Sequence, residues 1–431
     1  MASKTQEAPI NFFGGSPLNR LAWLRTSEPF LHAIIDHQST RWVLFNKGNP
    51  LLATLEGSKQ GKVATLSTPE VRPLLGAAPY FAQGQHEGDL ADEGVSVLEA
   101  ARLRGPGIIF LGLHEHDGEG SGALPSSDFS KKDAAAVAAK VQGDPYFSLD
   151  VSGLEEQKVD EVLRGAEGSL GGQKLSFVDS RASMSSMDQF SAGIIAEARA
   201  LVDWNARNKF CASCGSPVYS LWAGWKLSCT TLLPWADREG KTPCPTGVGL
   251  HNQSHPRTDP VVIMAVLNQN NDKILLGRNR KWPGKFYSAL AGFIEPGEAF
   301  EDAVRRELWE EAGLKVWGVR YHSTQPWPFP ANLMVGFYAI ADESLPTRTD
   351  LDNELEDARW YTREEILQVL ANPLGTKMQG NDPSIKLGPT ESEPPFRVPP
   401  NTAIAGVLIS DWAHRKVVIT GPEVREVKGN L

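Results

Sequence analysis

Three glutamates, Glu307, Glu310 and Glu311, lie within the short segment "RRELWEEAGL". Positions i, i+3 and i+4 fall on one side of an α-helix, so the three carboxylates would share one arc of its surface. Carboxylates this close repel one another and cost stability unless cations neutralise them. Hard divalent cations prefer oxygen ligands, and magnesium commonly bridges carboxylates to substrate phosphates. The spacing therefore predicts a cation site for phosphate chemistry; the alternative is a solvated acidic helix face.

The sequence around these glutamates predicts the helix that positions them, over residues 299–313. It would begin after the turn Pro296-Gly297 and end at Gly313, which is a good helix stop. Apolar residues at i, i+4 spacing predict one buried stripe along it. The residues of this stripe are Phe300, Val304, Leu308 and Ala312.

All four cysteines lie between positions 211 and 244. Cys211 and Cys214, followed by Gly215, form a knuckle that lets two thiolates reach one tetrahedral zinc ion, with Cys229 and Cys244 as its other ligands. A loop insertion separates these last two, and closing it costs only about 1–2 kcal/mol more than closing a short loop. The alternative is two ligands plus two ordinary buried cysteines. We predict a structural zinc site rather than a redox pair.

The segment from Gly292 to Leu314 fits the pattern G-x5-E-x7-R-E-U-x-E-E-x-G-U at each fixed position, where U is apolar. This pattern is the Nudix box, and the chain resembles the Nudix hydrolases. The resemblance implies an α/β/α sandwich that binds Mg²⁺ or Mn²⁺ and hydrolyses a nucleoside diphosphate linked to another group. The matching residues are Gly292, Glu298, Arg306, Glu307, Leu308, Glu310, Glu311, Gly313 and Leu314.

The resemblance also implies roles for individual residues. Glu307 and Glu311 would be the main metal ligands, and Glu310 would assist with metal or act as general base towards the attacking water. The backbone carbonyl of Ala291 would be a further ligand. Glu354, in "NELEDARWYTREEI", falls at the position of another metal-binding glutamate. Arg306 would orient the carboxylates, while Glu298 would brace the helix.

The segment "TQPWPFPAN", residues 324–332, resembles the SQPWPFPxS motif of NADH pyrophosphatases. That group also has a zinc ribbon before its Nudix domain, and its enzymes cleave NADH, and less well NAD⁺, to reduced or oxidised nicotinamide mononucleotide plus AMP. Related enzymes remove NAD caps from RNA. Two residues depart from the group's pattern. Asn332 stands where the group has serine, and His255 stands where the group has a tyrosine that contacts the nucleotide.

Alternating prolines and aromatics in the same segment predict a stiff extended loop. We expect Gln325 and Asn332, at its ends, to contact substrate. Trp327 and Phe329 would line the nicotinamide side or press onto a partner subunit, and Phe293 would stack on a base or pack in the core. The full set of predicted substrate-binding residues is Ala291, Gly292, Phe293, Gln325, Trp327, Phe329, Asn332, His255 and Ala405.

Length and composition fit a soluble globular protein of more than one domain, with 431 residues, 41% hydrophobic and 22% charged. The net charge of −9 weighs against a nucleic-acid surface as the main function. The amino end does not read as a secretory signal, and no apolar run is long enough to span a bilayer. Four cysteines in 431 residues do not suggest a disulfide scaffold, so we expect a cytoplasmic, reducing compartment. The alternative is a peroxisomal location, for which the ending "KGNL" is a poor signal.

The predicted fold class is α+β, in three parts. Residues 1–200 form a mixed α/β accessory domain, 201–258 a zinc ribbon with an insertion, and 259–431 the Nudix domain, interrupted by a loop insertion at 372–400. Further predicted elements are strands at 41–48 and 105–113, a short Ala-rich helix within 126–144, a helix at 187–208, and a closing helix in "TAIAGVLISDWAHR".

Two other functions compete with NADH hydrolysis. The box is also compatible with another nucleoside diphosphate derivative, such as ADP-ribose. From another class, the chain could be a non-catalytic zinc-ribbon protein that binds nucleotide or RNA. The resemblance further implies a homodimer.

Overall fold

The computed structural model describes most of the chain. The described residues are 10–55, 57–58, 61–76, 107–116, 134–233, 243–248, 254–282, 284–352, 354–377 and 393–417. Parts of the predicted helix at 126–144, of the insertion between Cys229 and Cys244 and of the insertion at 372–400 lie outside these ranges, as does the carboxyl end.

The chain divides into two compact units. The cysteine unit comprises Gly15–Arg257 and Pro328–Pro330, and the glutamate unit comprises Met1–Gly14, Thr258–Trp327 and Ala331–Leu431. The predicted domains 1–200 and 201–258 thus fall largely in one unit, and the boundary between them stays a prediction.

The cysteine unit contains five α-helices and nine strands among its described residues. The helices are α1 (Glu28–Ile35), α2 (Thr68–Val71), α3 (Ala134–Ala138), α4 (Glu156–Ser169) and α5 (Gln189–Arg207). The strands are β1 (Arg41–Asn46), β2 (Asn49–Thr54), β3 (Gly61–Val63), β4 (Leu66–Ser67), β5 (Gly107–His114), β6 (Asp144–Asp150), β7 (Lys174–Phe177), β8 (Val218–Leu221) and β9 (Lys226–Cys229).

Seven of these strands form one sheet in the order β3-β2-β1-β6-β5, with β4 beside β1 and β7 beside β2. Successive side chains of a strand point to opposite faces. In β1, Trp42 and Leu44 pack with α1 and α4, whereas Val43 and Phe45 pack with α5. Helices therefore cover both faces. The predicted strands at 41–48 and 105–113 and the helix at 187–208 are confirmed, but Phe190, expected on the buried face of that helix, is exposed.

The glutamate unit contains a second sheet and three helices among its described residues. The strands are β10 (Asp259–Asn268), β11 (Lys273–Asn279), β12 (Leu290–Phe293), β13 (Val316–Trp327), β14 (Asn332–Ala341) and β15 (Leu355–Thr362). The helices are α6 (Phe300–Ala312), α7 (Arg363–Ala371) and α8 (Ile404–Ala413).

This second sheet has the order β13-β14-β10-β11-β15, with β12 beside β10. Strand β10 is buried on both faces: Val262 and Met264 pack with α6, and Ile263 and Ala265 pack with α7 and α8. A sheet between two helical layers is the expected α/β/α sandwich, and the α+β fold class is confirmed.

The two sheets share one topology. If β1, β2, β4, β5, β6 and β7 are matched in chain order to β10 through β15, each pairing in one sheet recurs in the other. In both, the first strand runs parallel to the fifth and antiparallel to the second. The seven-stranded sheet differs from the six-stranded one by β3, which pairs with β2. The sequence shows no internal repeat, so the similarity lies in the topology rather than in the residues.

Two predictions about loops are wrong in part. The proline motif is not entirely a loop, because Pro326 and Trp327 end strand β13 and pair with Leu333 and Asn332 of β14. Strand β13 is the edge of its sheet, where a proline removes no ladder hydrogen bond from the interior. The predicted surface insertion also returns to the core before residue 400, since Phe396 and Val398 are buried.

Among the described residues, the structure contains no helix whose length and apolar character would let it span a bilayer.

Candidate active site and cysteine cluster

Helix α6 carries the three predicted glutamates and packs on one face of the second sheet. It ends at Gly313, whose φ of 67° lies in the left-handed region and whose N–H, with that of Leu314, bonds back to the last turn. Val304, Leu308 and Ala312 are buried as predicted, whereas Phe300 is half-exposed, because it stands in the first turn at the rim of the core.

The carboxylates differ in exposure and therefore in electrostatics. Glu311 is buried, with 3% of its surface exposed, and burial together with the charges of Glu354, Glu307 and Asp352 raises its pKa well above the usual value. Burial also raises the pKa of Glu307. Glu310 retains 46% of its side-chain exposure. A buried carboxylate destabilised by its neighbours is a group that a divalent cation would stabilise, so these residues fit Mg²⁺ or Mn²⁺.

Arg306 is the hydrogen-bonding centre of this cluster. Its Nη1 donates to Oε1 of Glu307 at 2.8 Å and to Oε2 of Glu310 at 2.9 Å. Its Nη2 donates to Oε2 of Glu298 at 2.9 Å and to the carbonyl of Phe293 at 2.8 Å. The hydrogen bond from Arg306 lowers the pKa of Glu298 to about 2. One guanidinium thus ties two acidic residues of the helix to the segment that precedes it.

Strand β12 passes directly beside the Glu307 carboxylate. A Cβ atom added to Gly292 would lie 1.8 Å from Cδ of Glu307, so only glycine permits this approach. Ala291, the next residue back, pairs with Ile263 of β10, and its backbone N–H acts on the Glu311 carboxylate and lowers its pKa against the effect of burial. The backbone of β12 and the carboxylates of α6 therefore enclose one site.

Glu354 lies before β15, and its charge raises the pKa of both Glu307 and Glu311, so it faces the same cluster. Its Oε1 accepts a hydrogen bond from Nδ2 of Asn279 at 3.0 Å. Asp352 acts on Glu311 in the same way, and sequence reasoning missed it. Its position in the sequence does not indicate this role, because Asp352 lies outside helix α6 and reaches the site from the turn before β15.

The four cysteines meet beside the two-stranded sheet β8–β9. All four sulfur atoms lie within 4.8 Å of one another, with 3.6 Å between Cys211 and Cys244 and 3.4 Å between Cys214 and Cys229. None is in a disulfide. In a tetrahedral zinc site with Zn–S bonds of about 2.3 Å, the sulfurs are about 3.8 Å apart. The geometry therefore fits zinc, and the alternative of two ligands plus two separate buried cysteines does not fit it.

Local backbone geometry explains the cysteine knuckle. Gly215 has a φ of 74°, and its N–H donates to the carbonyl of Cys211 at 2.8 Å. Burial raises the pKa of the Cys214 thiol, but hydrogen bonds, chiefly from Ser216, outweigh it and lower the pKa to about 7. Cys229 is the last residue of β9, and Cys244 follows the long insertion. The four cysteine sulfurs nevertheless lie close together, although fourteen residues separate Cys229 from Cys244 in the sequence.

Comparison with known proteins agrees with this geometry. A model of the NUDIX domain matches residues 257–379, and a model of the NADH pyrophosphatase-like rudimentary NUDIX domain matches residues 39–204. The NAD-capped RNA hydrolase of Schizosaccharomyces pombe is 33% identical over 95% of this chain and 96% of that protein. This chain belongs to the Nudix hydrolase family.

Two further relatives of this Nudix hydrolase align over most of its length. The human NAD-capped RNA hydrolase NUDT12 is 34% identical over 93% of this chain and 73% of that protein. The NAD-capped RNA hydrolase NPY1 of Saccharomyces cerevisiae is 30% identical over 84% of this chain and 87% of that protein. The rudimentary domain match covers the sheet whose topology repeats that of the glutamate unit.

Gln325 is fully buried rather than exposed to a ligand. Its Nε2 donates to the carbonyls of Phe12 and Thr402, both at 2.9 Å, and its Oε1 accepts from the N–H of Ile404 at 2.8 Å. All its polar groups are thus used within the glutamate unit. The prediction that Gln325 contacts substrate does not fit this structure, because two segments distant in sequence bury it.

The other predicted substrate residues have varied surroundings. Phe293 is 57% exposed at the end of β12, so the alternative of core packing is wrong and its ring is available to a ligand. Ala405 is buried in α8. Trp327 packs edge-on against Phe13 at 6.2 Å, and Asn332 is half-buried at the start of β14.

Two predicted substrate residues lie in the cysteine unit. The Phe329 ring lies below the guanidinium groups of Arg181 and Arg199, at 5.0 and 4.7 Å. The His255 ring packs over Trp222 with 5.5 Å between centroids. Histidine at this position therefore makes an aromatic contact within its own unit, and a role in substrate binding stays a prediction.

Replacement of Gly292 by alanine should lower kcat for metal-dependent hydrolysis of NADH by about 10²-fold, because the new methyl group displaces the Glu307 carboxylate by an ångström or more. Steady-state kinetics measures this. Gly168→Ala is the control, since its added methyl group has open space in helix α4. Equal kcat for Gly292→Ala and the unchanged protein would contradict the close approach.

Replacement of Gln325 by leucine should lower the free energy of unfolding by about 3 kcal/mol, because one buried and two part-buried backbone groups lose their partner. Urea unfolding measures this. Gln157→Leu, on the exposed surface of α4, should cost less than about 0.5 kcal/mol. If Gln325→Leu instead raised KM with stability unchanged, the predicted substrate contact would be restored.

Proposed function

We propose that this Nudix hydrolase cleaves the pyrophosphate of NADH and NAD⁺ to the nicotinamide mononucleotide and AMP, and removes NAD caps from RNA by the same reaction. The observation that carries the proposal is the carboxylate cluster of α6, held by Arg306 against Gly292. The substrate class is supported by relatives that are named NAD-capped RNA hydrolases and align over most of this chain.

We propose that Glu307, Glu311 and the carbonyl of Ala291 hold Mg²⁺ or Mn²⁺, with Glu310 and Glu354 beside them. The ion would neutralise charge on the pyrophosphate and lower the pKa of water at the site. The carboxylates of Glu307 and Glu311 fit this role, because burial and the neighbouring negative charges disfavour their charged forms when no cation is bound.

The chain's own residues account for the remaining steps of the reaction. Among Glu307, Glu310 and Glu311, Glu310 is the most accessible, and it can accept the proton of the attacking water. The water oxygen bonds to one phosphorus, the bridging P–O bond breaks, and the released phosphate carries the electron pair. Arg306 fixes the orientation of Glu307 and Glu310 throughout. The exposed ring of Phe293 offers a stacking surface for a base.

We further propose that Cys211, Cys214, Cys229 and Cys244 hold one structural zinc ion. Four sulfur ligands complete a tetrahedral zinc site and leave no position for substrate or water. The homodimer and the cytoplasmic location stay predictions.

Glu311→Gln should lower kcat for NADH by on the order of 10²–10⁴, because it removes a metal ligand while keeping the shape of the side chain. It should also keep or raise the melting temperature of metal-free protein, since a buried and repelled charge is removed. Glu301→Gln is the matched control, because Glu301 is exposed in the first turn of the same helix. Unchanged kcat in Glu311→Gln would sink the assignment.

The substrate is tested by comparing NADH, NAD⁺, ADP-ribose and NAD-capped RNA with Mg²⁺ and Mn²⁺ and separating the products. We expect AMP and reduced nicotinamide mononucleotide from NADH. Turnover of ADP-ribose alone would favour the other Nudix substrate, and no turnover of any substrate by metal-replete protein would favour the non-catalytic binding function.

Cys229→Ser should lower the zinc content of the purified protein from about one ion per chain to well below one, because the sulfur of a complete tetrahedral set is lost. Elemental analysis measures this, and the melting temperature should fall with it, since metal binding contributes to folding. Ser228→Ala is the matched control on the same strand. Full zinc content in Cys229→Ser would show that fewer cysteines suffice.

A further inference from the structure

Two histidines and one aspartate meet at the end of the β5–β6 ladder in the cysteine unit. One ligand atom from each of His114, His116 and Asp144 lies within 4.8 Å of the other two, and Nε2 of His116 is 3.0 Å from Oδ2 of Asp144. The two imidazole rings are 5.5 Å apart, edge to face. These residues are in the rudimentary domain and take no part in the proposed hydrolysis.

The backbone of β5 directs His114 to one face of the sheet. Before the bulge at Gly112, the side chains of Ile109 and Leu111 pack with helix α5. After the bulge, odd-numbered residues point to the other face of the sheet, because Leu113 packs in the core on that face. Position 114 therefore faces the side of α5, and His116, just after the strand, reaches Asp144. The His114 ring confirms this, since it packs edge-on against Phe190 of α5 at 4.8 Å.

The aspartate reaches the same face from the neighbouring strand. Asp144 pairs with His114 and lies two residues before Tyr146, which packs in the core beneath α5. Gly143 makes this possible, because an added Cβ atom would lie 2.2 Å from the carbonyl of His114 and its φ is 126°. On the other side, Asn19 exchanges two backbone hydrogen bonds with Leu113. The backbone on both sides of the group is thus fixed.

We propose that His114, His116 and Asp144 form a site for a divalent transition-metal ion such as Zn²⁺ or Ni²⁺. Imidazole nitrogens favour these ions, whereas Mg²⁺ and Ca²⁺ favour an all-oxygen set. Two neutral imidazoles each present a lone pair, and one carboxylate supplies charge. With three protein donors and with His116 63% exposed, water would complete the coordination, so the ion is exchangeable.

The simpler explanation is a hydrogen-bonded His116–Asp144 pair with no metal role. That pair accounts for one contact but not for the second imidazole, which the bulge at Gly112 turns towards the same carboxylate. His114 and Asp144 are the last pair of the β5–β6 ladder. In the matching ladder of the glutamate unit, β13–β14, the corresponding last pair is Trp327 and Asn332. The proposed site therefore lies at a different place in the fold from the glutamates, and the two sites can be tested separately.

The test is a nickel titration of the full, untagged chain, carrying its cysteine-bound metal, with Mg²⁺ in large excess. Isothermal calorimetry should detect one exchangeable nickel ion per chain. His116→Ala and Asp144→Asn should each weaken this binding by at least about tenfold. His32→Ala should leave it unchanged, because His32 is a half-exposed histidine of the same unit that lies on helix α1, 3.9 Å from Glu28, and is not part of this group.

A second readout excludes the cysteines as the binding site. Co²⁺ bound at the histidines should lack the intense near-ultraviolet absorption of cobalt–thiolate bonds. His116→Ala should keep the melting temperature, because that ring is mostly exposed. The proposal is overturned if the unchanged chain binds no nickel in the presence of excess Mg²⁺, or if His116→Ala binds nickel as tightly as the unchanged chain. It is also overturned if bound Co²⁺ shows the absorption of cobalt–thiolate bonds.

Discussion

The glutamate unit is organised around one electrostatic constraint: several carboxylates must stand together although each disfavours the charge of the next. Helix periodicity brings Glu307 and Glu311 to the same side, and burial makes their charges costly. Arg306 offsets part of this cost, and it does so through hydrogen bonds that also fix positions. The remaining cost is largest at Glu311, the carboxylate that Arg306 does not bond in this structure. Free energy gained on cation binding is therefore concentrated at that residue.

The same constraint explains why strand β12 matters to a helix that follows it. Gly292 lets the strand backbone approach Glu307 closely enough to exclude other side chains. Phe293, its neighbour, presents a carbonyl to Arg306 and its ring to solvent. Backbone groups of β12, the guanidinium and the carboxylates thus restrain one another. The fixed spacing of Gly292, Arg306 and Glu307 in the sequence is therefore explained by one packing arrangement, in which the three residues lie against one another.

Sequence reasoning located what depends on local spacing and missed what depends on distant segments. The arc of Glu307, Glu310 and Glu311 follows from helical periodicity, and the continuous apolar run "VVIMAVL" at 261–267 predicts a buried strand. The burial of Gln325 could not be predicted, because its partners Phe12 and Thr402 lie far away in the chain. The His114–Asp144 pairing was missed for the same reason, since it depends on a strand register and a bulge. Shared topology without sequence repetition likewise appears only when strand pairings are known.

The surroundings of Gln325 change how the proline motif is understood. A buried amide that bonds three backbone groups ties β13 to the start of α8 and to Phe12, and Asn11 adds hydrogen bonds to the Ser323 hydroxyl and the Thr324 carbonyl. Prolines on an edge strand add stiffness without loss of ladder bonds. The motif's glutamine thus acts on the position of the hairpin rather than on a ligand. The side chains that this fixed backbone presents include Asn332, which is half-buried and pairs with Asp259, the first residue of β10.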